Sequence, residues 1–315
     1  MVLTYAVDAA KGPFPPRDMF ATAPKLFAGA MLLIAGLLHS SLARSYCRGR
    51  TVRPPENFAP AEGKCWPNGK PIYWPNGCLE YRIGENGSKQ FPASDVAPLV
   101  ARAFSLWEET ACGTGHPSIH VQQAGLTSAT HAEASEAGGA ADVNVVVFRD
   151  DAWPYSGQSS ALALTTVTYG AESGKIYDAD IEINTFAKQF VLNPSGVVRG
   201  VYDLNTVLLH EAGHFFGLEH SSDQDAIMGG GAFAGRIAAD DAAGICAIYP
   251  PDGTRITPRG PEPAEACMAA KGGCAVGPTS GDLTLPLATL GVLAIVATAG
   301  ARRKREARPP AIRAS

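Results

Sequence analysis

Net charge is what this 315-residue sequence has least of. Against 26 Lys and Arg stand 30 Asp and Glu, a formal charge of -4. No basic stripe runs along the chain to neutralise a phosphate backbone, which excludes nucleic acid as the principal partner. The apolar run near the N-terminus, Leu26 to Leu38, is also short. A bilayer core requires about 20 residues, so a transmembrane anchor there is disfavoured. With 46% apolar and 18% charged residues the composition is that of an ordinary globular protein, of a length that allows one or two domains. Gly and Pro, by contrast, are abundant and fall outside the periodic stretches, so long irregular loops are expected.

The short apolar run has another use. Lys25 precedes it and Ser41-Leu42-Ala43 supplies small residues for cleavage, which reads as a secretory signal. Met19 lies just before this signal, and residues 1–18 form an odd preface, so translation is expected to begin at Met19. Export permits disulfides among Cys47, Cys65, Cys78, Cys112, Cys246, Cys267 and Cys274. Their number is odd, so at least one has no partner within the chain. The expected pairs are Cys65 with Cys78 and Cys112 with Cys246.

Residues 44–90 are a loop-rich lead-in with Trp-Pro-Asn-Gly turns at Trp66 and Trp74, and strands are expected at Ile72 to Trp74 and Leu79 to Ile83. A domain over 91–250 follows. Its first helix starts at Ser94 or Asp95, places Phe104 and Trp107 in the core, tolerates Pro98 in its first turn, and ends near Cys112-Gly113. Extended runs come next at Ile119 to Gln123, Val143 to Phe148 and Leu162 to Tyr169. The Val-rich middle run should be a buried central strand, and the last an edge strand. His116, His120 and His131 share no ligand spacing and read as solvated. Lys175 to Asn184 alternates with acidic residues that suit either calcium or a solvated strand face, the latter preferred.

The chemistry concentrates in His210-Glu211-Ala212-Gly213-His214-Phe215-Phe216-Gly217-Leu218-Glu219-His220. On a helix capped by Asp203, His210 and His214 share a face, able to hold one metal ion. Gly217 can adopt a left-handed conformation that ends the helix and returns His220 to the same point. Three neutral imidazoles leave the fourth position of a tetrahedral zinc open for water, the mark of a catalytic site, and Glu211 stands beside the first ligand as a general base. The bland alternative is an amphipathic helix with satisfied core histidines.

This stretch resembles the zinc signature of the metzincin metalloproteases. The resemblance implies an α+β fold: a twisted, mostly parallel sheet with an antiparallel edge strand, a zinc helix and a C-terminal helix. It implies a zinc endopeptidase with one catalytic zinc on His210, His214 and His220, Glu211 as base, and Met228 as an apolar floor beneath the ligands. The edge strand would bind substrate backbone through Leu162, Ala163, Leu164 and Thr165. Ser221 after the third histidine, Asp203-Leu204 before the helix, and Gly230 where other branches place a tyrosine are similar to the matrixin branch, as is Ala239 to Pro250, with Asp240 or Asp241 capping the last helix. The His-rich structural zinc and calcium loop of animal matrixins has no counterpart, so a second zinc is not expected. Cys47 is a candidate to ligate zinc in a precursor, although the motif of the matrixin cysteine switch is missing.

Residues 251–272 read as a linker. In 273–315, Gly272-Gly273-Cys274, the apolar run Leu283 to Ala299 and Arg302-Arg303-Lys304-Arg305 resemble the myxobacterial C-terminal sorting tail, processed at Cys274. A permanent single-span anchor is the plainer option. A monomer at the cell surface or secreted, acting on peptide or protein, is expected; the rival from another class is an inactive scaffold or adhesion protein with a structural metal site.

Overall fold

Runs rich in Val, Ile, Thr and Tyr cannot expose their side chains on both faces, and six of them assemble into one sheet. The computed structural model describes residues 1–8, 45–55, 58–61, 64–132, 143–155, 160–192, 199–229 and 235–265, all within the unit Met1–Ala275. The elements in chain order are β1 (Val2–Asp8), β2 (Cys47–Arg48), β3 (Cys78–Gly84), α1 (Ala93–Glu108), β4 (His120–Thr127), β5 (Asn144–Phe148), β6 (Ala161–Tyr169), β7 (Ile176–Ile183), β8 (Gln189–Val191), β9 (Val201–Asp203), α2 (Leu204–Phe215), β10 (Leu218–Glu219), a 3-10 turn (Ile227–Gly229), α3 (Ala239–Ile248), β11 (Thr254–Thr257) and β12 (Gly260–Pro263).

The sheet order is β1-β6-β7-β5-β3-β4. β3 pairs in parallel with β4 and β5, and β5 with β7, whereas β6 runs antiparallel to β7. This is the mostly parallel sheet with an antiparallel strand expected of an α+β metzincin. All five residues of β5 are buried, as its Val run requires. β6 was expected to be the rim. It is the rim of the strands that follow residue 44, but β1 lies along its outer side, from Val2↔Thr168 to Asp8↔Ala161. The tail, Gly230, Cys267 and Cys274 lie outside the described residues, as does most of the leader. Among the described residues no helix is long and apolar enough to cross a membrane.

Helix α1 buries Val96, Val100, Ala103, Phe104 and Trp107, the stripe its periodicity predicts. Its ends differ from expectation. It begins at Ala93, preceded by Pro92 with no side-chain cap, and stops at Glu108, where the Glu109 amide donates to Ser105 O and the Thr110 amide to Trp107 O. Ile72 to Trp74 make only an isolated bridge, Tyr73 to Lys175. Residues 254–263, within the stretch read as linker, form a hairpin whose Arg255 is buried at 1% exposure. Its guanidinium donates to Ser118 Oγ and O and to the carbonyls of Trp74 and Asn76, and sits 4.9 Å from the Tyr249 ring centre.

The acidic face of β7 is not solvated. Asp178, Asp180 and Glu182 are all buried, because β7 is interior to the sheet and both its faces are covered. Asp180 accepts the Val145 amide at 2.8 Å, and Glu182 takes Arg149 at 2.5 Å and the Tyr155 hydroxyl. A buried carboxylate persists only where donors replace its lost water, and these long-range partners do so.

Candidate active site

Helix α2 carries the chemistry. Asp203 caps it as expected: Oδ1 accepts the Asn205 amide at 3.1 Å and Oδ2 the Thr206 hydroxyl at 2.8 Å. Aromatic side chains donate to one carbonyl inside the helix and to two at its C-terminal end, where intrahelical partners run out. Trp107 Nε1 donates to Leu209 O at 2.9 Å, Trp74 Nε1 to Phe215 O at 2.8 Å, and the Tyr249 hydroxyl to Phe216 O at 2.7 Å. The helix is thereby fixed at the end where the chain must turn sharply.

That turn occurs at Gly217, with φ +91°, a conformation that any side chain would strain. It brings His220 back to His210 and His214. The three ring centres are 4.8, 4.9 and 5.2 Å apart, and one nitrogen from each lies within 4.8 Å of the other two. His210 Nδ1 meets Ile227 O at 2.8 Å and His214 Nδ1 meets Leu218 O at 2.9 Å. A carbonyl can only accept, so each Nδ1 carries the hydrogen and each Nε2 presents a lone pair. His214 Nε2 is buried with no hydrogen-bond partner, the condition of a ligand atom aimed at a cation. Burial, and then the two neighbouring histidines, hold the His214 pKa well below the ordinary value, which keeps it neutral as ligation requires. Among the described residues this is the one group of three or more His, Cys, Asp or Glu able to hold a metal.

Met228 lies beneath the helix at 2% exposure. A Cβ on Gly213 would stand 2.3 Å from Met228 Sδ and 2.8 Å from Trp107, so helix and methionine touch only because residue 213 has no side chain. The turn is pinned by Asp241, whose carboxylate accepts the amides of Ile227, Met228 and Ala238 at 2.8, 3.1 and 2.8 Å. Asp240 accepts the Ser221 hydroxyl at 2.6 Å and the amides of Ser45 and Tyr46, both at 2.9 Å. Neither residue acts simply as the cap of α3. They tie its first turn to the methionine loop and to the chain entering from residue 45.

The profile described as matrixin matches residues 73–250. The chain belongs to the matrixin family. It is 30% identical to interstitial collagenase of Equus caballus over 203 residues, 62% of this chain and 36% of that protein. It is 29% identical to matrix metalloproteinase-C of Caenorhabditis elegans over 191 residues, 56% and 28%, and 29% identical to neutrophil collagenase of Homo sapiens over 203 residues, 62% and 37%. This matrixin therefore spans about a third of the length of the curated relatives it matches.

The expected substrate-strand residues are placed differently in this matrixin from one another. Leu162, Ala163, Leu164 and Thr165 all have buried side chains, and the backbone edge of β6 beside them is paired with β1 in this structure. Thr165 has a second role that sequence reasoning missed. Its hydroxyl donates to Glu211 Oε2 at 2.5 Å, and both residues are fully buried. The signal was there in part: a hydroxyl in a buried strand needs a partner, but Thr165 shares β6 with Thr166, Thr168 and Tyr169, and the sequence does not say which of them meets Glu211.

Cysteine chemistry corrects two expectations. Cys47 pairs with Cys65, not Cys65 with Cys78, and Cys78 is separately disulfide-bonded. Cys47 is thus oxidised and buried on β2, beside Leu218 and Glu219 of β10, and is no zinc ligand in waiting. Cys112 pairs with Cys246 as expected. His120 makes a 2.6 Å pair with Glu108, and His116 Nδ1 faces the carbonyls of Glu109 and Thr110.

Proposed function

We propose that this matrixin is an exported zinc endopeptidase acting on peptide or protein substrates. The observation that carries the reading is the convergence of His210, His214 and His220, with the first two imidazoles oriented by carbonyls. Three nitrogen donors suit zinc and leave a coordination position for the reaction. Zinc held there supplies a Lewis acid, which acidifies water and polarises the substrate carbonyl. Glu211 takes the proton from the attacking water and returns it to the leaving amine. Thr165 anchors Oε2, so the proton passes through the other carboxylate oxygen. Met228 supports the ligands from below, and the backbone of Leu162, Ala163, Leu164 and Thr165 receives the substrate as an added strand.

The leader, with Lys25 ahead of Leu26 to Leu38, supports export, and disulfides such as Cys47–Cys65 and Cys112–Cys246 fit an oxidising compartment. The C-terminal apolar run and Arg302 to Arg305 support attachment of a monomer to a bacterial cell surface, with processing at Cys274. The buried acids of β7 leave calcium without a supporting observation.

Glu211→Gln tests the chemistry. The variant is expected to bind one zinc per chain, by metal analysis after dialysis, and to lose turnover of a fluorogenic peptide library. Proteolysis at the wild-type rate by this variant would refute Glu211 as the base.

A further inference from the structure

The dipeptide between Gly217 and His220 serves two metal-site histidines by different means. It forms β10, held antiparallel to β2 through Leu218↔Arg48 and Glu219↔Cys47, and the Gly49 amide donates to Gly217 O at 2.9 Å. Strand alternation sends its two side chains to opposite sides. Leu218 turns into the core at 1% exposure, and its carbonyl receives His214 Nδ1 at 2.9 Å. Glu219, also buried, turns toward His220. Its Oε1 accepts the His220 amide at 3.0 Å and lies 3.5 Å from Nδ1 of the same residue's ring.

His210 and His214 are each oriented by a backbone carbonyl, which is neutral. The group beside Nδ1 of His220 is a carboxyl. The difference matches exposure: the His220 side chain is 30% exposed, whereas His210 and His214 are buried. Where water can compete for the ring hydrogen, a charged acceptor holds it more strongly than a carbonyl does. Among the described residues the ion-pair partner of Glu219 is His220, and no lysine or arginine. Burial disfavours its charged form, and a dication one imidazole away restores it. Three neutral imidazoles bring no charge to offset such an ion. Glu211 brings one negative charge to the site and Glu219 a second.

We propose that Glu219 is a positioning residue for the third metal ligand: its carboxylate fixes His220 as the tautomer with the hydrogen on Nδ1, directs Nε2 to the metal, and supplies the second negative charge that balances a zinc ion. This rests on the zinc reading of the same site. A carboxylate paired with a ligating histidine both sets the ring's orientation and raises its basicity. The carbonyls of Ile227 and Leu218 do the first for the ligands on helix α2. Glu219 does both for the ligand that lies beyond the helix, on the segment that Gly217 turns back. The pairing of β10 with β2 holds the backbone of that segment, so the carboxylate keeps its aim.

The test uses the purified full chain. In the zinc-free wild type, proton–nitrogen correlation spectra of the imidazoles are expected to place the His220 hydrogen on Nδ1. Glu219→Gln keeps an acceptor for the His220 amide and removes the charge. Competition with a fluorescent chelator should show its zinc affinity lowered about ten- to a hundredfold from wild type. Glu219→Ala loses the acceptor as well, so it should bind zinc no more tightly than Glu219→Gln and lose the Nδ1 preference in its zinc-free spectra. The wild-type spectra decide the tautomer even if a substitution destabilises the fold. A His220 hydrogen on Nε2 in the wild type, or wild-type zinc affinity in Glu219→Gln, would overturn the inference and leave the three-histidine zinc site standing. The expected order of affinities in a protein that cuts no peptide would refute the peptidase reading and leave the role of Glu219 standing.

Discussion

Replacing Thr165 by Val removes one hydroxyl and keeps the shape of the side chain, so its consequence is confined to Glu211. The lost interaction is a hydrogen bond to a carboxylate with both groups fully buried. Hydrogen bonds to charged groups contribute about 1.5–3 kcal/mol. If that energy serves to hold the carboxylate in its working geometry, each 1.4 kcal/mol corresponds to about a tenfold change in rate. Thr165→Val should therefore lower kcat by roughly ten- to a hundredfold. KM should change little, because the backbone edge of β6 is untouched. Thr165→Ser, which restores the donor, should recover most of the loss, and zinc content should equal wild type in both. Steady-state kinetics on one fluorogenic peptide, with metal analysis of the same samples, decides the matter. A Thr165→Val enzyme with the wild-type kcat, or a Ser variant as slow as Val, would show that the hydroxyl does nothing for the base.

Two further outcomes follow from the support beneath the site. Gly213→Ala forces a Cβ against Met228 Sδ and Trp107; overpacking of this kind costs about 1–3 kcal/mol, so thermal unfolding should move down by several degrees and zinc should dissociate more readily. Asp241 has its pKa raised from 3.8 to about 6, chiefly by burial, against the lowering effect of three backbone amides. With the folded pKa above the unfolded one, the native state binds more protons between about pH 4 and 6, so this group's contribution to stability declines as pH rises through that window. Asp241→Asn should remove that slope from denaturant midpoints measured across the window, and an unchanged slope would assign it elsewhere.

Much of the metal site was legible because it is local. The histidine spacing, Asp203, Gly217 and Met228 all lie within 26 residues of one another, and helix geometry converts spacing into position. The Val run of β5 and the α1 stripe were legible for the same reason. What failed depended on partners far along the chain. The acids of β7 alternate as a solvated face would, but Asp180 is met by the Val145 amide and Glu182 by Arg149 and Tyr155, all distant in sequence. Asp241 caps α3 as expected, by accepting the Ala238 amide, but its oxygens also hold the methionine turn and those of Asp240 reach Ser45 and Tyr46, roles that no local pattern announces. Cys65 lies closer in sequence to Cys78 than to Cys47, and proximity along the chain did not decide the bond. β1 is the extreme instance, since nothing in Val2 to Asp8 announces a strand partner at residues 161–168.

The buried Arg255 determines how a tethered form of this protein would bear a pull. Tension from a C-terminal anchor enters after Glu265, whose amide is bonded to Pro75 O, and next meets the β11–β12 hairpin. From there Arg255 distributes it to the carbonyls of Trp74, Asn76 and Ser118, and the Cys112–Cys246 bond carries the remainder from α3 to the segment after α1. That route meets the C-terminal end of helix α2 one step on, because Trp74 Nε1 is bonded to Phe215 O and the Tyr249 hydroxyl to Phe216 O. In a tethered form, the contacts that take the load would therefore be the same ones that brace the turn carrying His220.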